Sequence, residues 1–250
     1  MEPVKHGPKP ARLEVIGVTG IGEVHRGDDL AGILLEALGE MDEVLRPGDV
    51  VVVTQKVVSK AEGAMAQLDG DDPRSHKPLV EREAVRVLRR RGDLLLTETR
   101  HGFVCANAGV DLSNVERGQA ALLPEDPDRS ARRMADALQG RTGTRVGIVV
   151  TDTFGRPWRR GVTDVAIGCA GLRAVVDLRG STDALGRELQ VTEVAVADEV
   201  AAAADLVMGK ADAVPMALVR GLADSCFPEP DEKVGIVSDL VRHPSEDLFR

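Results

Sequence analysis

Four consecutive valines followed by a threonine, VVVVT at residues 50–54, leave this chain little local freedom. β-Branched side chains are stiff and crowd a helix but pack well on a pleated surface, so the run reads as a strand. It has no polar alternate residue, so both of its faces must be covered. RVGIVVTDT at residues 145–153 is a second run of this kind and the clearest strand in the chain. Aromatic residues make up only 2% of the sequence, with four Phe and no Tyr, so the core under the covering helices must be built from Val, Leu, Ile and Ala.

Other segments supply the remaining layers. RLEVIGV (12–18) alternates like a strand, and TGIGEVHRGDD follows as a loop in which Asp28 or Asp29 can cap a helix over LAGILLEALGEM (30–41). KPLVEREAVRVLRR (77–90) has an amphipathic helical pattern, while GDLLLTET and GFVCANAGVD read as two strands joined near His101 and Gly102. A helix over DRSARRMADALQG (128–140) precedes the second apolar strand. TDVAIGCAG and RAVVDLRG give short strands, TEVAVADEVAAAADLVMG (192–209) an Ala-rich helix, and VPMALVRG (214–221) a last strand. The Pro-rich start is expected to fray. Strands and helices mix without a strict β-α-β-α rhythm, and no repeat or Gly/Ser linker divides them. The expectation is an α+β fold, mixed and antiparallel sheets with packed helices, in one unit spanning residues 1–250.

Several classes are disfavoured. Cys105, Cys169 and Cys226 are odd in number and share no short spacing, which suggests neither a disulfide frame nor a zinc knuckle and points to a reducing cytoplasm. No apolar stretch approaches the roughly 18 residues of a membrane helix, and the N-terminus lacks a signal-like apolar run, so the chain reads as soluble. A net charge of −9 argues against a general nucleic-acid surface. Local basic clusters remain, and Arg156, Arg159 and Arg160 form one.

Three stretches carry candidate chemistry. In TDTFGRPWRRG, Asp152 and Thr153 stand where a buried strand runs out toward solvent, a rigid place to hold a ligand; an Asp turn before Gly155 and Pro157 is the simpler alternative. In CANAGVDLSNVERG (105–118), Asp111 and Asn114 are three apart, so one helical turn would put both on one face, though both residue types also favour caps and turns. After the valine run come Gln55, Lys56, Ser59 and Lys60. Lys60 could meet a phosphate or simply be solvated, and the Gly-x-x-x-x-Gly-Lys of a P-loop is lacking. Glu193, Asp198 and Glu199 on the Ala-rich helix read as structural or solvated, and Cys105 and Cys169, in apolar strands, as inert.

Taken together, GDVVVVTQKVVSKAEG, VCANAGVDLSNVERG, VVTDTFGRPWRRGVTDVAIGCAGL, GRELQVTEVAVADEVAAAADLVMGKADAVP and ALVRG resemble, in order and wording, the coenzyme F420:L-glutamate ligase family. The resemblance runs from about residue 13 to about residue 241. It implies an α+β fold forming an intertwined homodimer in the cytoplasm, with Mg²⁺ or Mn²⁺ as cofactor and stimulation by a monovalent cation such as K⁺. The implied reaction is GTP-dependent: a carboxylate of F420-0 is phosphorylated and the resulting acyl phosphate is attacked by the amino group of L-glutamate, with further γ-linked residues added in later rounds. Some relatives carry a second, nitroreductase-like flavin domain; none is expected within these 250 residues, nor a bound flavin.

Position by position, the resemblance places metal ligands at Asp111, Asp152 and Thr153. It places nucleotide contacts at Gly22, Glu23, Val24 and His25, at Gln55, Lys56 and Lys60, and at Asn114. The late nucleotide loop falls on Met208, Gly209, Lys210, Ala211, Asp212, Ala213, Val214 and Pro215. Where archaeal members carry Glu or Gln as a metal ligand in that loop, this chain has Lys210, so either the metal set is smaller or Lys210 touches phosphate. Arg156 and Arg159 are the candidate catalytic cations for anionic substrates, and Trp158 could pack on a flat ligand or anchor an interface.

Elementary electrostatics agrees with a metal. Two carboxylates about 4 Å apart repel by roughly 4 kcal/mol at an effective dielectric of about 20, so Asp111 and Asp152 would share a site only if a cation neutralised them. Hard oxygen ligands suit Mg²⁺ or Mn²⁺. The rival expectations are a ligase for another acyl acceptor, a metal-dependent phosphatase, and a non-catalytic nucleotide-binding module.

Overall fold

The computed structural model describes residues 12–68, 75–229 and 232–247. The Pro-rich segment at residues 1–11 lies outside them. In chain order the first half contains β1 (Glu14–Val18), α1 (Leu30–Glu40), β2 (Val50–Thr54), α2 (Gln55–Glu62), β3 (Met65–Gln67), α3 (Lys77–Glu83), β4 (Ala84–Arg91), β5 (Leu94–Thr99), β6 (Val104–Ala106) and β7 (Gln119–Ala121). The second half contains α4 (Pro127–Thr142), β8 (Gly147–Gly155), β9 (Val162–Ala170), β10 (Val176–Asp177), β11 (Glu193–Val194), α5 (Val196–Met208), β12 (Met216–Arg220) and α6 (Ile236–Asp239).

The main sheet has the order β1-β12-β2-β8-β9, and the two apolar runs sit at its centre, β2 beside β8 in parallel. All four valines of β2 are fully buried, as a strand covered on both faces requires. The other neighbours are antiparallel, so the sheet is mixed, as expected. α5 packs against β9, β1 and β12, and α4 against β9 and β8. At Gly168 an added Cβ would lie 2.4 Å from backbone atoms of Pro127, so α4 approaches β9 as closely as it does only because that residue has no side chain. The carboxylate of Asp126 caps α4 by accepting from the Arg129 N–H at 2.8 Å.

One irregularity in the main sheet matters below. Val150 pairs with Gly168, but Thr151 pairs with Ala166, which leaves Ile167 as an extra residue in β9. This bulge resets the alternation so that Thr151, Thr153 and Asp164 share the face opposite α4. A smaller lobe combines the sheets β4-β5-β6 and β3-β7 around Leu79, Val80, Leu95, Ala108, Val110 and Ala120.

Several sequence expectations need correction. The helix expected over residues 77–90 stops at Glu83, and Ala84–Arg91 is a strand paired with β5. Val85 and Val87, spaced by two, go with the strand period once β5 is available as a partner. The strand expected over residues 102–111 covers only Val104–Ala106. It then gives way to a tight turn in which Asn107 and Ala108 take positive φ of 50° and 53°. The Ala-rich helix begins at Val196, because Glu193–Val194 pairs with Val176–Asp177. Asp29 stands at the α1 N-cap without a side-chain cap bond; its carboxylate instead meets Arg141 at 2.6 Å. Among the described residues no helix is long and apolar enough to cross a membrane.

Candidate active site

Register brings four connecting segments to one end of the main sheet. Thr54 lies beside Thr151, Met216 beside both Val18 and Val53, and Asp152 beside Val165. The loop leaving β1, the start of α2, the β8–β9 hairpin and the loop between α5 and β12 therefore gather where the parallel strands end. In sheets with parallel strands this edge is the usual place for ligands. The Thr54 N–H donates to the Pro215 carbonyl at 3.0 Å and ties the late loop to β2.

Because side chains alternate along a strand, Asp152 and Thr153 do not face the same way. On the Asp152 side, Asp111 accepts from the Ser113 N–H at 2.7 Å and from the Lys56 ammonium at 2.9 Å, and Lys56 also donates to Ser113 Oγ at 2.7 Å. Burial alone would raise the Asp111 pKa, but these donors outweigh it and the carboxyl sits below its ordinary value. No helical turn joins Asp111 to Asn114. Asp111 bridges to Ala121, and Asn114 turns the chain at φ 51°.

On the Thr153 side, Asp164 is 2% exposed and accepts from Thr151 Oγ1 at 3.2 Å and Thr153 Oγ1 at 2.6 Å. The Lys210 ammonium reaches Asp164 at 2.7 Å and Asp205 at 3.1 Å, and also donates to the Thr153 hydroxyl. Burial lowers the Lys210 pKa, yet Asp164 and then Asp205 outweigh it, and the ammonium is held above its ordinary value.

Between these two groups lies Asp152. It keeps some solvent contact yet is densely surrounded by protein, and its carboxylate accepts from the Thr153 N–H at 2.8 Å. Desolvation, and then the anions Asp111 and Asp164, push its pKa up to about 7 against the opposing Thr153 bond. Among the described residues Asp152 forms no ion pair, and the Lys210 ammonium opposes the rise only weakly. The donor set of Asp152 and Asp111 is hard oxygen, which fits Mg²⁺ or Mn²⁺. Among the described residues no group of three or more acids, His or Cys is placed to hold a metal alone.

The remaining candidate residues divide. Lys60 on α2 pairs with Glu23, which brings the segment Gly22, Glu23, Val24 and His25 against that helix. Val24 is buried and the His25 N–H bonds Asp28 at 2.8 Å. Gln55 is 2% exposed, and its amide donates inward to Ser59 Oγ at 2.8 Å and the Leu122 carbonyl at 2.6 Å. Met208 is buried at the end of α5, while Gly209 and Ala213 take φ of 60° and 54° in the loop beyond. Arg156, Arg159 and Arg160 are exposed in the hairpin just past Asp152, with Trp158 between them at φ 56°. Cys105 is buried with its thiol pushed up to about 12, and Cys169 is buried and raised further still, so both are inert. Asp198 accepts from the Ala166 N–H at 2.9 Å and fastens α5 to β9.

Sequence reasoning placed neither Asp205 nor Asp164 among the site residues. A signal existed for Asp164, an acid inside the apolar run VTDVAIG. None marked Asp205, which shares an Ala-rich helix with other acids.

A profile of the F420-0:gamma-glutamyl ligase family matches residues 20–221. The chain belongs to the F420-0:gamma-glutamyl ligase family. Among its relatives, the coenzyme F420:L-glutamate ligase of Methanothermobacter thermautotrophicus is 44% identical over 95% of this chain and 99% of its own length. The proteins of the same name from Methanopyrus kandleri and Archaeoglobus fulgidus are 44% and 39% identical, over 91% and 96% of this chain and 94% and 97% of their own lengths. The matched residues take in α2, the β8–β9 hairpin and the loop between α5 and β12.

Proposed function

We propose that this chain ligates L-glutamate to coenzyme F420-0, using GTP and a divalent ion, Mg²⁺ or Mn²⁺. The relatives named above, similar over nearly the whole chain, support the substrate pair. The observation that carries the site is Asp152, a carboxylate without a cationic partner, set between two ammonium-paired acids and beneath an arginine-bearing hairpin.

In this reading a carboxylate oxygen of the coenzyme attacks the γ-phosphorus of GTP, and the bond to the GDP oxygen breaks. The glutamate nitrogen then attacks the acyl carbon; the amide bond forms, phosphate leaves with the C–O electron pair, and the nitrogen gives up a proton. A divalent ion bound at Asp111 and Asp152 would neutralise developing phosphate charge. Lys56 and Lys60, side by side on α2, supply ammonium donors to phosphate oxygens. Arg156 and Arg159 hold carboxylate or phosphate groups of the anionic substrates through their planar forks. A homodimer belongs to the same reading and is supported by the exposed side chains of Leu94, Leu96 and Val104 on the small sheet. Light scattering on the purified chain checks it.

The decisive experiment is incubation with F420-0, GTP, L-glutamate and Mn²⁺, followed by mass spectrometry for added glutamyl units. Release of GDP at an equal rate without coenzyme would mean a phosphatase, and turnover only with another carboxylate would mean a different acyl acceptor.

A further inference from the structure

Lys210 is bound in the way an inorganic cation is bound. Its three N–H bonds are matched by three oxygens, the Thr153 hydroxyl, Asp164 Oδ1 at 2.7 Å and Asp205 Oδ1 at 3.1 Å. Two carboxylates and a hydroxyl are the hard-oxygen donors that Mg²⁺, Mn²⁺ or K⁺ prefer. Asp164 is 2% exposed, so its charge needs a permanent partner. The donors come from three separate elements, β8, β9 and α5, and the turn at Gly209 carries Lys210 back toward them.

We propose that Lys210 is a tethered cation, filling with its own ammonium a position on the Thr153, Asp164 and Asp205 face that an inorganic cation would otherwise occupy. The exchangeable ion is then confined to the Asp111 and Asp152 face, and no added monovalent cation is needed on the other. The proposal rests on the functional reading above only for what binds at Asp152; the Lys210 face can be tested without substrate or turnover.

The test counts Mn²⁺ bound to the full chain by electron paramagnetic resonance titration, without nucleotide. Thermal unfolding is followed in parallel in KCl and in N-methylglucamine chloride at equal ionic strength. Lys210→Met is expected to gain a Mn²⁺ site, or a K⁺-dependent rise in unfolding temperature, about tenfold tighter or more than any such response of the wild type, because a repelling positive charge has gone. Adding Asp205→Asn should abolish the gain. A Lys210→Met protein with native circular dichroism and no gained site overturns the proposal. If that variant does not fold, Asp205→Asn alone decides: Mn²⁺ stoichiometry equal to wild type supports an ammonium at this face, and loss of a site overturns it. Loss of Mn²⁺ binding in Asp152→Ala reports separately on the functional reading.

Discussion

The two sides of the β8 terminus carry similar densities of acid but solve the charge problem differently. On one side Asp164 and Asp205 share a lysine from the chain itself. On the other, Lys56 pairs with Asp111, while Asp152 forms no ion pair among the described residues and its pKa rises to about 7. Adjacent residues of one strand thus enter opposite electrostatic settings, one closed by a lysine and one without an ion pair among the described residues. The comparison teaches that a Thr-Asp-Thr strand end is not a single electrostatic environment. The pleat divides it, and the local supply of ammonium groups decides which half remains available.

The largest expected break comes from Asp152→Ala. If the open side holds the ion, ligation falls by about 10³-fold or more and the Mn²⁺ requirement shifts to higher concentration, as loss of an anionic metal ligand demands. Steady-state assays across a Mn²⁺ series measure both, and unchanged turnover with an unchanged titration would remove Asp152 from the site.

Asp164→Ala should act on the closed side through stability. It leaves Lys210, Thr151 and Thr153 without a buried acceptor, at a cost of about 2–4 kcal/mol. Urea unfolding reads the loss, and an unchanged midpoint would show that the cluster contributes nothing net.

A pH dependence distinguishes the sides in metal-free protein. The folded Asp152 pKa of about 7 stands above its ordinary 3.8, so between those values the folded state holds a proton that the unfolded state has released. Unfolding free energy therefore falls as pH rises through this window, by at most about 1.4 kcal/mol per unit, and levels off above it. Asp152→Asn should flatten the slope, and Mn²⁺ should stabilise more strongly at the alkaline end. A wild-type slope that persists in Asp152→Asn would assign it to another group.

The smallest effect is expected at the hairpin, which belongs to neither side. Arg159→Ala should raise the KM for one anionic substrate by about tenfold, the loss of roughly one charge-assisted contact, with stability unchanged. An unaltered KM for all three substrates would return Arg159 to the solvated surface.

Much of the site's neighbourhood was legible in the sequence. Asp152, Lys56 and Lys60 lie in or just after strands whose apolar runs announced themselves, whereas Asp111 follows a turn where a strand was expected. Which acids fall on which side was not legible, because the placing of Asp164 beside Thr153 depends on a bulge at Ile167 that no local pattern signals. The break in the helix expected over residues 77–90 was hidden for a similar reason. A segment with alternating valines has a helical pattern too, until a neighbouring strand offers its ladder of backbone partners.

By itself the sequence determined the central strands, the helices that cover them and the materials of the core, because side-chain branching and the period of burial act over a few residues. Tertiary structure alone decided that Lys210 would meet Asp164, 46 positions away along the chain, and that Asp152 would form no ion pair among the described residues. Electrostatic pairing depends on distance through space, and that distance is fixed only when register, bulge and helix packing are all in place.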